Sequence, residues 1–264
     1  ANTFRLASIA DSTFITNRET KVAMESTTSP SYTQATGLVF IRQAEYNTSY
    51  SVTLNASDHA SRTETYTTPV IGSGSSTSAP SNKTICNNLR DLINNDSVLG
   101  SEYTATRRGE YLLEIVKDDG GDFTLTVSDT IADMFIVGIK DKIEAIQQLP
   151  LKGLNGQILK VIGSSSTEAD DYYVKFETSS GNSSGKGIWR ETVAPGIKYK
   201  LDATTMPHVL IRNDDGTFTF KRQTWGNRIA GNTTSASNPP FVGEKINNIN
   251  VFRNRLVLLS DEYA

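Results

Sequence analysis

Cysteine is nearly absent from this chain: Cys86 stands alone among 264 residues. A lone thiol cannot close an internal disulfide or supply half of a zinc site. A disulfide-stapled secreted scaffold is therefore excluded, and the usage is ordinary for a protein folded in a reducing cytosol. Histidine is almost as scarce, so a catalytic triad or an imidazole metal site would have to draw on His59 and His208. Neither sign of charge is in large excess. With 26 Lys and Arg against 29 Asp and Glu, the formal net charge is -3, and no overall basic field draws the chain to a phosphate backbone. No run approaches the ~18 apolar residues that span a bilayer, and the first residues lack a basic region followed by an apolar one. The motifs HExxH, CxxC, GxGxxG and GxxxxGKS/T are also missing, and with them the usual signatures of zinc, redox, dinucleotide and nucleotide chemistry.

What the chain does have is period-two alternation between turn residues. At 264 residues it has length for one large domain or two ordinary ones, and for a sizeable core. FRLASIA at 4–10 and TFITN at 13–17 flank Asp11 and Ser12 and read as a β-pair. The polar stretch 25–36 reads as a connection. GLVFIRQAEYNTSYSVTLNA predicts a longer hairpin, with Val39 and Ile41 on one face and Tyr50, Val52 and Leu54 on the returning strand. RTETYTTPV at 62–70 adds a polar edge strand. GSGSSTSAPS at 72–81 is a low-complexity loop ending in a helix start, where Ser81 or Asn82 caps the first turn. Ile85, Leu89, Leu92 and Ile93 then share one stripe, so this helix lies across the sheet, with Cys86 beside the stripe as a small buried side chain.

Strands resume with YTATRRG, EYLLEIVKD and DFTLTVSD. In IADMFIVGIKDKIEAIQQLP, Ile139, Ile143 and Ile146 fit a helix while Ile143, Ala145, Gln147 and Leu149 fit a strand. The expectation is a helical turn near 129–133 and an extended segment from about Lys142. QILKVIG and DDYYVKFE form a further pair, followed by GIWRETV. TMPHVLIRNDDGTFTFK is a hairpin hinged on Asp214-Asp215-Gly216, and INNINVFRNRLVLLS is another hinged at Arg253-Asn254-Arg255. The fold class is mainly β with an α+β insertion.

Several of these stretches also resemble the nozzle family (tail tubular protein B) of short-tailed bacteriophages. They are ADSTFITNR at 10–18, LPLKGLNGQ at 149–157, GQILKVIGSSSTEADDYYVKFE at 156–177 with IWRET at 188–192, and TMPHVLIRNDDGTFTFK, PPFVG and INNINVFRNRLVLLS in the last third. The resemblance implies an interior section of a longer chain whose terminal strands belong to an interrupted β-propeller. Residues 1–24 and 241–264 would be blade strands with the two chain ends close together, 25–150 an inserted α+β domain that packs neighbouring subunits, and 151–240 a β-rich second part. It implies a structural role in the virion tail, with no catalytic, cofactor or metal residues. The partners would be identical copies in a hexameric ring, the adaptor (tail tubular protein A) and the tail fibres. Double-stranded DNA would pass through without specific binding. A conduit of this kind must not grip its cargo, because every cation paired with a phosphate adds affinity, so a net-negative bore is expected.

Residues with chemical potential each have a plainer reading. Gly181-Asn182-Ser183-Ser184-Gly185 satisfies GxSxG, but a strand follows where a hydrolase elbow needs a helix. Asp118-Asp119, Asp170-Asp171 and Asp214-Asp215 suit a glycosidase only if carboxylates converge, and Asp is also a turn former; none has calcium-loop spacing. His59 sits in a polar loop and His208 follows Pro207 at a strand start. Trp189, Trp225, Tyr172, Tyr173 and Tyr199 serve as sugar platforms or as core and interface anchors. Arg253 and Arg255 belong to a turn. The alternative to a structural role is a polysaccharide-degrading or carbohydrate-binding tail module, which needs a groove with aromatic platforms and paired carboxylates.

Overall fold

Alternating apolar residues between turn formers give a mainly β chain, seen in a computed structural model that describes residues 3–31, 34–72, 79–163 and 170–261. The strands are β1 (Phe4–Ile9), β2 (Ser12–Asn17), β3 (Thr36–Ile41), β4 (Ser49–Ala56) and β5 (His59–Thr67). Helices α1 (Asn82–Asn95) and α2 (Leu99–Glu102) precede β6 (Tyr103–Arg108), β7 (Leu112–Lys117), β8 (Thr124–Asp129), β9 (Ile136–Ile139) and β10 (Lys142–Ile143). There follow β11 (Lys152–Leu154), β12 (Ile158–Val161), β13 (Tyr172–Thr178) and β14 (Ser184–Thr192). Last come β15 (His208–Arg212), β16 (Phe218–Arg222), β17 (Ile246–Phe252) and β18 (Arg255–Ser260). The chain divides into two units, one made of residues 1–30 with 193–264 and the other of 31–192.

The first unit draws on both ends of the sequence. β1 and β2 form the expected hairpin, turning at Ala10 with φ 49, and β15 pairs with both β2 and β16. The result is a four-stranded antiparallel sheet in the order β1-β2-β15-β16. β17 and β18 make a separate hairpin whose turn residues Arg253 and Asn254 take φ 47 and 59. Two consecutive left-handed residues are what a two-residue turn needs to follow the right-handed twist of its strands. Val22, Met206, Ile246 and Ile249 form the core, with Ala7, Phe14 and Leu258 packed against it. Backbone bonds from Val22 N–H to Glu244 O (2.9 Å) and from Gly243 N–H to Val22 O (2.8 Å) tie the two chain ends together. Buried Ser29 donates its hydroxyl to Ala194 O and accepts from Ile197 N–H.

The second unit holds the larger core. Sheets β6-β7-β3-β9 and β5-β4-β8 share one cluster with α1: Val39 and Ile41 from β3, Tyr50, Val52 and Leu54 from β4, and Ile85, Cys86, Leu89 and Ile93 from α1. Each large aliphatic side chain buried here contributes about 2 kcal/mol. β3 and β4 do not form the expected hairpin. β3 pairs with β7 and β9, whereas β4 pairs with β5 and β8. The alternation correctly marks which side of each strand faces the core, but the two strands meet through those faces and not edge to edge. Their connection is pulled back by Tyr50, whose phenol donates to Gln43 O and accepts from Glu45 N–H. Gly37 and Gly138 let β8 approach closely: a Cβ at Gly37 would lie 2.9 Å from Leu125 and one at Gly138 would lie 3.0 Å from Val127.

β5 is the polar edge strand expected, and its hydroxyls run as a ladder along β4: Ser49 with Thr67, Ser51 with Thr65 and Thr53 with Thr63, each 2.8 Å. Ser81 is the N-cap of α1, accepting from Thr84 N–H at 3.1 Å. Leu92 leaves the predicted stripe and is 36% exposed, while Ile85, Leu89 and Ile93 are buried. The loop expected at 72–81 lies for the most part outside the described residues. Residues 130–133 form turns and no helix: the Asp129 carboxylate accepts from the N–H groups of Ile131, Asp133, Phe135 and Ile136, which seats β9 earlier than the extended segment expected from Lys142. A single 3-10 turn spans Ile146–Gln148.

A third sheet, ordered β10-β12-β13-β14-β11, completes this unit. Its core is Ile139, Ile143, Leu159, Val161 and Val174. β12 with β13 and β13 with β14 pair antiparallel, as the sequence suggests. Phe176 is fully buried, tilted against Trp189 with ring centroids 4.9 Å apart, and glycines at 153 and 187 leave room for its ring.

Candidate functional site

The scarce imidazoles fall in different units. His59 opens β5, its Nε2 2.8 Å from the Tyr103 hydroxyl and its Nδ1 2.8 Å from Ala60 O. His208 opens β15 and stacks on Phe220 at 5.5 Å. Each ring is tied into its own strand surroundings. The GxSxG stretch forms the turn between β13 and β14, where Thr178 donates to Asn182 O and Gly181 has φ 71. A strand follows it directly, so the nucleophile elbow is not formed. Cys86 is buried in the helix interface, and desolvation pushes its thiol up to about 12, which keeps it protonated and unreactive.

The aspartate pairs act locally. Asp215 accepts from the Thr217 N–H and hydroxyl, closing the β15–β16 turn. Asp171 is buried, ion-paired with Lys160 at 2.6 Å and bonded to Gly163 N–H, and that lysine holds its carboxyl below the usual range. Asp119 accepts from Gly121 N–H and from Lys117. No group of three or more His, Cys, Asp or Glu side chains is arranged to hold a metal among the described residues.

Lys117 is a focus of charge that the motifs did not reveal. Its side chain is 1% exposed, with Asp58 at 2.5 Å, Asp119 at 2.8 Å and Glu102 at 3.5 Å. The hydrogen bonds to Asp119 and Asp58 raise its ammonium well above the ordinary lysine value, and the same bonds depress both carboxyls. The ring of Tyr103 stands 5.8 Å from the ammonium, and burial pushes the phenol up to about 12. Asp119 and Asp58 hold Lys117 in its charged form, so the cluster ties the end of α2 and the turns after β4 and β7 to one ammonium and offers no base.

Of the aromatics, Trp189 packs on Phe176 and donates its indole N–H to Pro150 O at 2.9 Å. Tyr172 packs against the core of the third sheet and Tyr173 is buried. Trp225 packs against the core of the first unit, and Tyr199 has the Lys200 ammonium 5.3 Å from its ring. Arg253 lies over Phe252 in the β17–β18 turn, and Arg255 is exposed there. A groove of about 400 Å³ in the second unit is lined by Arg108, Glu114, Lys140, Asp141, Asn155 and Gln157. Arg108 is held by Glu114 and Lys140 by Asp122, so its cations are already paired.

The most unusual surface is a sheet face in the first unit. Cross-strand register puts Phe4, Leu6, Ile15, Leu210, Phe218 and Phe220 on the same side of β1-β2-β15-β16. Phe4 is 57% exposed, Leu6 61%, Phe218 63% and Phe220 61%. The opposite side, with Ala7, Phe14 and Val209, is the one turned to the core. A four-stranded sheet apolar on both faces is built to be covered on both.

Comparison with known proteins agrees with this picture of a scaffold built for contact. The bacteriophage nozzle protein family matches residues 1–264, the whole chain. Tail tubular protein gp12 of Escherichia phage T7 is 30% identical over 266 residues, covering 99% of this chain and 32% of that protein. The chain thus spans about a third of the length of the curated relative it matches. With its family shown along its full length, this chain belongs to the bacteriophage nozzle proteins, structural components of the phage tail.

Proposed function

We propose that the chain is a section of the tail nozzle that works by shape and by contact between identical copies, continuing the channel through which the genome leaves below the adaptor. In this reading the first unit is part of a β-propeller, and the second is the inserted lateral domain that packs copies into a hexameric ring. The observation that carries it is the β1-β2-β15-β16 sheet. It has the four antiparallel strands of a propeller blade, draws them from both ends of the chain and leaves an apolar face uncovered. The returning strands then include β15 and β16 as well as the stretch 241–264. The adaptor and the tail fibres are the expected neighbours, and DNA passes without being held, in keeping with a net charge of -3. The test is the mass of the full-length protein, alone and mixed with its adaptor, by native mass spectrometry. Six-fold assemblies that join the adaptor are expected, and a full-length protein that stays monomeric in both mixtures would overturn the reading.

A further inference from the structure

Strands β6 and β7 end in opposite charge. Where β6 begins and β7 finishes, Glu102 and Asp119 join Asp58 around the single buried Lys117, with Asp118 exposed beside them. At the far end, the turn from Arg108 to Tyr111 is one wall of an open pocket of about 250 Å³, and Lys152, Ser184 and Lys186 belong to the other. The five rises along the six residues of β6, at about 3.3 Å each, set the two ends roughly 17 Å apart.

The basic end is only partly compensated: Glu110 lines the same pocket and its charge favours the Lys152 ammonium, but it is ion-paired with neither lysine. Lys152 and Lys186 are direct partners in the β11–β14 ladder, and like charges placed opposite one another repel. Lys152 lies over the Tyr111 ring, 2.9 Å from its centroid, and burial together with the repulsion of Lys186 holds its ammonium below the ordinary value. Neither lysine has an ion-pair partner among the described residues, whereas Arg108 is held by Glu114 at 2.6 Å. A carboxylate entering between them relieves the repulsion and replaces lost water. A duplex would need cations repeated along a track, and this pair lies beside Glu110 in a chain of net charge -3. An anionic surface lies at the other end of the β6–β7 hairpin whose turn forms one wall of this pocket.

We propose that the Lys152–Lys186 pocket of one copy receives the acidic end of β6–β7, centred on Asp118, from a second copy of this chain. The contact is head to tail, the kind that closes into a ring when its rotation permits. It rests on the ring reading above and supplies that reading with a specific interface. The experiment uses the full-length protein as wild type, Lys186→Glu, Asp118→Lys and the double variant, with assembly followed by sedimentation velocity at low and high salt. Both positions are exposed, so unchanged melting temperatures are expected. Each single reversal is expected to raise the dissociation constant on the order of tenfold at low salt, less at high salt, and the double variant to recover most of the loss. Single variants that assemble like wild type would overturn the interface while leaving the ring intact. A double variant no better than the worse single would show that the two ends serve different partners and would also overturn it, as would duplex DNA binding by the wild type that Lys186→Glu abolishes. A wild type that never assembles would remove the ring reading itself.

Discussion

Phe220→Ser separates a surface meant to be covered from one meant for water. The Phe220 side chain is 61% exposed on the outer face of β16. A phenyl side chain presents ~200 Å², so about 120 Å² of Phe220 faces solvent. Covering that area is worth about 3 kcal/mol at ~25 cal/mol per Å². Within the 264-residue chain the substitution gives up only the stack on His208, with ring centroids 5.5 Å apart, and costs under about 1 kcal/mol. In the full-length nozzle, where another sheet covers the face in the proposed propeller, it costs about 3 kcal/mol. The assay is hydrogen exchange of the β15 and β16 amides in wild type and variant, in both lengths. Local opening free energy sets the exchange rate, so the substitution is expected to speed exchange roughly a hundredfold in the full-length protein and under about fivefold in the chain. Equal effects in the two lengths would refute the reasoning. So would wild-type amides that exchange equally fast in both, since the face would then stay in water.

Three other outcomes follow from the geometry. Ser81→Ala removes the acceptor for Thr84 N–H and is expected to lower stability by about 1 kcal/mol in a denaturant titration, with Ser81→Asp close to wild type. Gly187→Ala places a Cβ 2.2 Å from Glu177 O and 2.8 Å from the Phe176 ring, so the β13–β14 pair must shift. A drop in melting temperature with loss of the near-ultraviolet signal of Trp189 is expected, and an unchanged spectrum would contradict the packing. The Lys117 cluster gives a pH signature. Asp58 and Asp119 have folded-state pKa values depressed by Lys117, so their contribution is present above the unfolded aspartate value near ~3.9 and is lost as pH falls through the folded values. Lys117 is raised, so its share is present below the unfolded lysine value near ~10.4 and disappears only as pH rises above it. Lys117→Met is expected to flatten the fall in melting temperature on acidification below pH ~4, and a variant with the wild-type acid limb would sink this account.

Legibility of the fold followed the range of the interactions. Hairpins β1–β2, β15–β16 and β17–β18 were readable because each is set by a few adjacent residues: Ala10 and Asp11, Asn213 to Gly216, Arg253 and Asn254. The Ser81 cap and the Ile85, Leu89, Ile93 stripe were readable for the same reason. β9 was obscured because the Asp129 carboxylate that organises the turn before it acts through backbone N–H groups up to seven residues away. Of the candidate surfaces, neither the Lys117 cluster nor the Lys152–Lys186 pair has a motif, since Asp58, Glu102 and Lys117, like Lys152 and Lys186, come from segments far apart in the chain.

The sequence by itself determined strand character, the core-facing side of β3 and β4, the turn chemistry and the likeness to the nozzle family. Tertiary structure alone decided that β3 and β4 meet through their faces, that β2 finds β15 almost two hundred positions away, and that Phe4, Leu6, Phe218 and Phe220 are left outside. The reason is physical: alternation is written in side chains, but the N–H and C=O groups along a strand edge are the same in every strand. Which edge pairs with which is therefore settled only when all the apolar faces are packed at once.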